Sequence, residues 1–270
     1  MKLSESSVQG KSSMIISAKE IHRKQIVSLW SNAFGDSKDS VNKYLDTLLK
    51  YFLVYEEDGI VKGMLSVLPV NLQDKKGGYI YAVVTHPDFR GKGICRAMID
   101  AVKADVTYDF LVLVPQNEGL FNFYGKMDFI KVNFLKKGQI LISGNSLEDY
   151  SLNRISASEY ELARNNFYKN QKFINWDSSI LEFAENMYGG SFYEILNGKN
   201  SVGYAFLYKE KDSVIIKELL CKNHIETAMQ IGSIMNVRKV NFVYEDIKAN
   251  PTFMVYPEVF SNTKFGIFLD

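Results

Sequence analysis

The stretch that most constrains this chain runs from Tyr79 to Met98. It begins Tyr79-Ile80-Tyr81-Ala82-Val83-Val84, a β-branched and aromatic run with the composition of a buried strand. Pro87 stops that run, because proline has no N–H to donate to a ladder and restricts the residue before it. Arg90-Gly91-Lys92-Gly93 follow, and then Ile94, Ala97, Met98, Ala101 and Val102 recur at helical spacing. A strand, a short glycine-bearing turn and a helix N-terminus in that order make an anion site. The first helical N–H groups have no partner inside the helix, and the macrodipole adds about half a positive charge there. Gly91 and Gly93 let a phosphate approach the backbone with no Cβ in the way. Arg90 and Lys92 add full charges at the rim.

Two common phosphate loops are excluded. The Walker pattern Gly-x-x-x-x-Gly-Lys-Ser/Thr is absent, and in a dinucleotide fingerprint the third glycine would fall on Arg96. What remains is Arg90-x-x-Gly93-x-Cys95. Further on, Phe110-Leu111-Val112-Leu113-Val114 reads as a second buried strand, parallel to the first because a helix lies between them. Asn117 and the run Phe123-Tyr124-Gly125-Lys126-Met127-Asp128-Phe129 come next.

The Arg90 to Cys95 turn resembles the pyrophosphate loop of the GNAT superfamily of N-acetyltransferases, Gln/Arg-x-x-Gly-x-Gly/Ala, with Cys95 where the family has glycine or alanine. Asn117, Phe123-Tyr124, Lys126 and Phe129 resemble the second motif of that family, with Asp128 replacing its glycine. Aspartate tolerates the left-handed conformation that such a turn needs. The phrase Leu29 to Ser37 also resembles the acetyltransferase module of enhanced-intracellular-survival-type proteins. The resemblance to the motif-bearing module covers residues 17–135.

The resemblance implies a mixed α/β sheet of the GNAT fold, antiparallel early and parallel at the cofactor. It implies acetyl-CoA as acyl donor, with Val83 and Val84 offering main-chain hydrogen bonds to pantetheine and the thioester oxygen. Arg90, Gly91, Lys92, Gly93, Ile94 and Cys95 would surround the pyrophosphate, and Asn117 and Tyr124 would complete the cofactor site. Tyr124 stands at the family's general-acid position, where a proton must reach the leaving thiolate. The strand Tyr79–Val83 lacks the glutamate that many relatives use as base. In enhanced-intracellular-survival-type enzymes the C-terminal carboxylate enters the active site, and by that resemblance the role would pass to Asp270.

The N-terminal half reads as two helices, the first capped by Ser17 with Glu20 three residues on, the second from Ser40 to Tyr51. Strands follow over Phe52–Glu56 and Ile60–Leu72, joined by an Asp58-Gly59 hairpin turn, and residues 73–78 read as a loop. After the turn-rich Ser143-Gly144-Asn145-Ser146, the order helix, helix, three strands, helix, strand repeats. The second pass has Cys221-Lys222-Asn223-His224 where the first has its glycine turn. The expected organisation is therefore two tandem acyl-CoA N-acyltransferase-like domains, 14–143 carrying the site and 144–270 degenerate, walling the acceptor cleft or supporting a homo-oligomer.

Composition excludes more than it selects. Over 270 residues, 46% are hydrophobic, 23% are charged and the net charge is +1. That balance offers no electrostatic handle for nucleic acid or a membrane surface. No apolar run approaches a bilayer span, and the first residues lack a secretory apolar core. Cys95 and Cys221 lie far apart, and His22, His86 and His224 fall in different segments, so no metal site is expected. The expectation is a cytoplasmic N-acetyltransferase acting on a primary amine of a small molecule or peptide. Aminoacyl transfer, or a non-catalytic acyl-CoA sensor, are the alternatives. Acceptor specificity is expected from residues 17–51, the 73–78 loop and the second domain.

Overall fold

A computed structural model describes residues 13–143, 149–245, 248–257, 263–266 and 269. The chain divides into two units. The first holds the residues up to Leu113 and Asn117–Ile130, and the second holds most of Lys131–Met254.

The first unit begins with β1 (Ser13–Ser17), followed by α1 (Arg23–Phe34) and α2 (Lys38–Leu48). Ser17 does not cap a helix. It is extended and pairs with Leu53, and the Ala18 amide donates to the Phe52 carbonyl. The helix starts only at Arg23, after a short 3₁₀ turn in which His22 Nδ1 accepts from the Lys19 amide at 2.9 Å. His22 is buried, with Nε2 2.9 Å from Glu56 Oε2, while Ile21 is 80% exposed. Gly35 ends α1 with φ +84°, and Ser37 caps α2 by accepting from the Ser40 amide. Trp30 is fully packed against Phe34, Tyr44, Phe52 and Tyr81, and its indole N–H donates to Asp36 Oδ2 at 2.7 Å.

β2 (Phe52–Glu57) turns into β3 (Ile60–Leu72) through Asp58 and Gly59, both at positive φ, as a two-residue primed turn demands. β4 (Lys75–Thr85) follows after only Gln73 and Asp74. Residues 75–78 are therefore strand and not loop, so the expected specificity loop over 73–78 shrinks to a tight hairpin. The two glycines that suggested a loop serve packing instead. Gly77 lies opposite Phe110, and a Cβ there would overlap the Phe110 ring; at Gly78 it would overlap Val67. α3 (Ile94–Lys103), β5 (Phe110–Leu113) and α4 (Glu118–Gly125) complete the unit. α3 buries Ile94, Met98, Ile99 and Val102, each contributing about 1.5–3 kcal/mol by leaving water. It lies so close to β3 that a Cβ on Gly63 would stand 2.8 Å from Ile94 Cγ2. The sheet order is β1-β2-β3-β4-β5, antiparallel except for the parallel β4–β5 pair.

The second unit contains β6 (Ile130–Leu141), β7 (Tyr150–Ile155), α5 (Ala157–Phe167), β8 (Lys172–Phe173), β9 (Asn175–Trp176), α6 (Ser178–Tyr188), β10 (Ser191–Asn197), β11 (Asn200–Glu210), β12 (Ser213–Cys221), α7 (His224–Ile234), β13 (Lys239–Glu245), β14 (Pro251–Tyr256) and β15 (Thr263–Lys264). Only the end of β14 and the first residue of β6 count with the first unit. Ser156 and Glu159 form a reciprocal cap at the head of α5. The sheet runs β7-β10-β11-β12-β13-β6, with β12–β13 parallel and the rest antiparallel. So β6, which lies within the 14–143 span expected to form the first domain, is a sheet neighbour of β13. Strand β7 through β13 repeats the order of β1 through β5: strand, two helices, three antiparallel strands, helix, parallel strand. The core gathers Ile195, Leu207, Val214, Ile231, Val240 and Phe242. Beside it, the fully buried Arg164 makes a two-pronged pair with Glu218 at 2.8 and 3.0 Å, and Tyr160 donates to the same carboxylate at 2.9 Å.

Candidate active site

In the first unit, β4 carries a bulge where the sequence gives no sign of one. Met64 pairs with Val84 and Ser66 with Tyr81, so the single residue Leu65 stands opposite two, Ala82 and Val83. Ala82 takes φ +52°, an uncommon conformation for a residue with a Cβ. Ser66, fully buried, donates its hydroxyl to the Tyr81 carbonyl at 3.0 Å and pins the strand just ahead of the irregularity. A bulge takes a residue off the ladder and redirects its main-chain groups. On the other edge, β4 pairs with β5 only from Gly77 to Tyr79, although β4 continues to Thr85. Beyond Tyr79 the β5-facing edge of β4 is no longer matched residue for residue, and this is where open α/β sheets bind ligands. Val83 and Val84 lie on that stretch.

The turn after β4 has the geometry of an anion cradle. His86 Nδ1 accepts from the Asp88 amide at 3.3 Å, and the Phe89 and Arg90 amides close back onto the His86 and Pro87 carbonyls. Those two amides are spent. Gly91 and Gly93 then adopt φ +73° and +78°, with no heavy atom within 4 Å of where a Cβ would stand. They are glycines for their backbone conformation, not for lack of room. The α3 ladder starts when the Ala97 amide reaches the Gly93 carbonyl, and Gly93 provides no side-chain cap. The amides of Gly93, Ile94, Cys95 and Arg96 are therefore the orphan donors of the first turn. Arg90 Nε lies 3.3 Å from the Thr85 carbonyl, and the ammonium groups of Lys92 and Lys62 lie over the Phe89 ring at 4.8 and 4.5 Å. Phe89, unremarked in the sequence, thus anchors Lys92 beside the cradle.

Tyr124 on α4 is 6% exposed and packs edge-on against Phe123 and Phe129. Among the described residues its hydroxyl makes no hydrogen bond. Burial, and then the proximity of the Cys95 thiol, push its pKa well above the usual phenol value, so the hydroxyl keeps its proton throughout the neutral range. That electrostatic coupling links Tyr124 of the second motif to Cys95 of the first. Burial likewise pushes the Cys95 thiol up to about 11, against a smaller opposing effect of Arg96. A thiol so protonated is a poor nucleophile at neutral pH. Asn117 caps α4, its Oδ1 accepting from the Leu120 amide at 3.1 Å. Asp128 holds φ +63°, the left-handed turn its substitution for glycine required, and pairs with Lys103 at 3.1 Å. Asp270 lies outside the described residues. Among the described residues no group of three or more His, Cys, Asp or Glu could hold a metal, and no helix is long and apolar enough to cross a membrane.

Residues 19–129 match the family model described as acetyltransferase (GNAT) family. A curated relative, acetyltransferase ECA0875 of Pectobacterium atrosepticum, is 24% identical over 127 residues, spanning 43% of this chain and 87% of its own. Among solved structures, a GCN5-related N-acetyltransferase from Anabaena variabilis superposes with a TM-score of 0.72 at 15% identity, covering 90% of this chain and 72% of that one. Eis1 from Mycobacterium abscessus superposes with a TM-score of 0.60 at 9% identity, over 90% of this chain and 73% of its own. At such identities the structural matches establish the fold, and they do so across both units.

Proposed function

We propose that the chain moves an acetyl group from acetyl-CoA to a primary amine of a small molecule or peptide, a reading supported by the match of residues 19–129 to the acetyltransferase (GNAT) family. The observation that carries the reading is the cradle itself: two left-handed glycines, four orphan amides at the head of α3, and a bulged strand whose edge parts from β5. This set fits a diphosphate joined to an amide-bearing arm. The Gly91 to Arg96 backbone would hold the diphosphate with Arg90 and Lys92 at its rim, and Val83 and Val84 would meet the arm. When bound, acetyl-CoA supplies an activated acetyl group.

The chain's own residues do the rest. Main-chain donors at the bulge would stabilise negative charge on the thioester oxygen. Tyr124, kept protonated through the neutral range by its burial, gives its proton to the sulfur as the new carbon–nitrogen bond forms and the carbon–sulfur bond breaks. The proton lost by the amine passes to solvent, and solvent returns one to the Tyr124 phenolate. No metal is needed for these steps. The test is a thiol-release assay with acetyl-CoA against a broad amine library, alongside calorimetric binding of coenzyme A. Turnover with at least one amine, lost in Tyr124→Phe while coenzyme A still binds, supports the reading. Binding without turnover across the library would make the domain a sensor instead.

A further inference from the structure

The second unit repeats the strand arrangement of the first, including its cleft. β12 and β13 pair in parallel only from Ser213 to Ile216, and β12 then continues to Cys221. On the other side of β12, Phe206 pairs with Glu218 and Leu207 with Ile216, so Lys217 is an extra residue, the counterpart of the β4 bulge. Between these strands, β6 and the start of α7 lies a cavity of about 960 Å³. That is ample for a small molecule.

What the cavity does not repeat is the diphosphate cradle. Asn223 caps α7, its Oδ1 accepting from the Glu226 amide and its side-chain amide donating to Glu226 Oε2 at 2.6 Å. The head of α7 is thus occupied by its own side chains and carries an acid in its first turn, whereas the head of α3 is bare. Positive charge comes from elsewhere. Lys136, Lys137, Lys217, Lys222 and Lys264 line the cavity against one carboxylate, Glu218, which Arg164 and Tyr160 already neutralise. Lys137 and Lys222 are exposed and make no ion pair among the described residues. The remaining wall is apolar and aromatic, with Leu135, Ile140, Leu219, Phe242 and Tyr244 among its members.

We propose that this cavity is a binding site for a small amphipathic anion, a carboxylate or phosphate monoester on an aromatic or aliphatic body. The apolar wall takes the body, and the lysines take the charge. The site is separate from the acetyl-CoA cradle and, lacking that cradle's open helix head, does not take coenzyme A. The probe is 8-anilinonaphthalene-1-sulfonate, titrated by fluorescence into the full chain with acetyl-CoA in excess to cover the first unit. The expected result is saturable binding that survives the acetyl-CoA and falls at least tenfold in Lys137→Glu/Lys222→Glu, with the thermal midpoint unchanged. The neutral analogue N-phenyl-1-naphthylamine should bind at least tenfold more weakly to the wild type, a comparison that needs no variant. Competition by 2-naphthoate against 2-naphthyl phosphate then tells a carboxylate site from a phosphate site. No saturable binding, equal binding of the neutral analogue, indifference to the charge reversal, or displacement by acetyl-CoA would each overturn the proposal.

Discussion

Replacing Tyr124 by phenylalanine removes one oxygen and little else. The ring keeps its contacts to Phe123 at 5.2 Å and Phe129 at 6.0 Å, and the lost hydroxyl leaves no hydrogen-bond partner among the described residues. Folding stability should therefore change by less than about 0.5 kcal/mol, the range of substitutions that break no packing and orphan no polar group. The proton is a different matter. A positioned general acid contributes about 10²–10⁴ to a rate, and at about 1.4 kcal/mol per decade the transition state loses roughly 3–5 kcal/mol. The assay is steady-state thiol release for both proteins at saturating acetyl-CoA, with calorimetric affinity for coenzyme A measured beside it. The expected result is a kcat at least a hundredfold lower with an affinity within about threefold of wild type, since the ring and the main-chain cradle stay in place. A variant that keeps more than a tenth of the wild-type kcat would refute the reasoning, as would one whose coenzyme A affinity falls in step with its rate.

Four further outcomes follow from the structure. Gly93→Val meets no steric obstacle but must hold φ +78° at a cost of about 1–2 kcal/mol, so the loop should relax and the apparent KM for acetyl-CoA rise roughly tenfold or more with kcat at saturation little changed. The Cys95 thiol, raised to about 11, should resist iodoacetamide at neutral pH and react faster as pH climbs toward that value; Cys95→Ala should retain turnover. The same shift favours the folded state until the unfolded chain's thiol begins to ionise, so this contribution to stability is lost as pH rises from about 8.5 toward 11, which denaturant titration at several pH values would detect. Arg164→Met strands the Glu218 carboxylate in the second unit and should cost about 3–5 kcal/mol in denaturant unfolding.

Much of the frame was legible because local chemistry and global fold agree in places. Asp58-Gly59 specified a primed hairpin turn, Ser156 and Glu159 a reciprocal cap, and Asp128 a left-handed turn, and each forms as its residues require. Ser17 and Glu20 misled because a capping-box spacing also occurs where an edge strand ends, and only pairing with β2 reveals that strand. Gly77-Gly78 misled for a related reason. Glycine pairs suggest a loop, yet here they make room for Phe110 and Val67, residues distant in sequence. The bulge at Ala82 left no trace, since alanine carries no preference for positive φ; it arises from the count of residues on β3 against β4. The cavity of the second unit was invisible for the same cause, being assembled from Lys137 on β6, Phe242 on β13 and Lys222 in the turn before α7.

The claim on which the account turns is that backbone amides at the head of α3 grip an anion. A crystal structure of the full chain grown with coenzyme A measures this directly. The account predicts diphosphate oxygens within hydrogen-bond distance of amides between Gly91 and Arg96, with the Phe89 and Arg90 amides still closed on His86 and Pro87. Coenzyme A seated in the lysine-lined cavity of the second unit, or a diphosphate held with those amides bonded elsewhere, would contradict it.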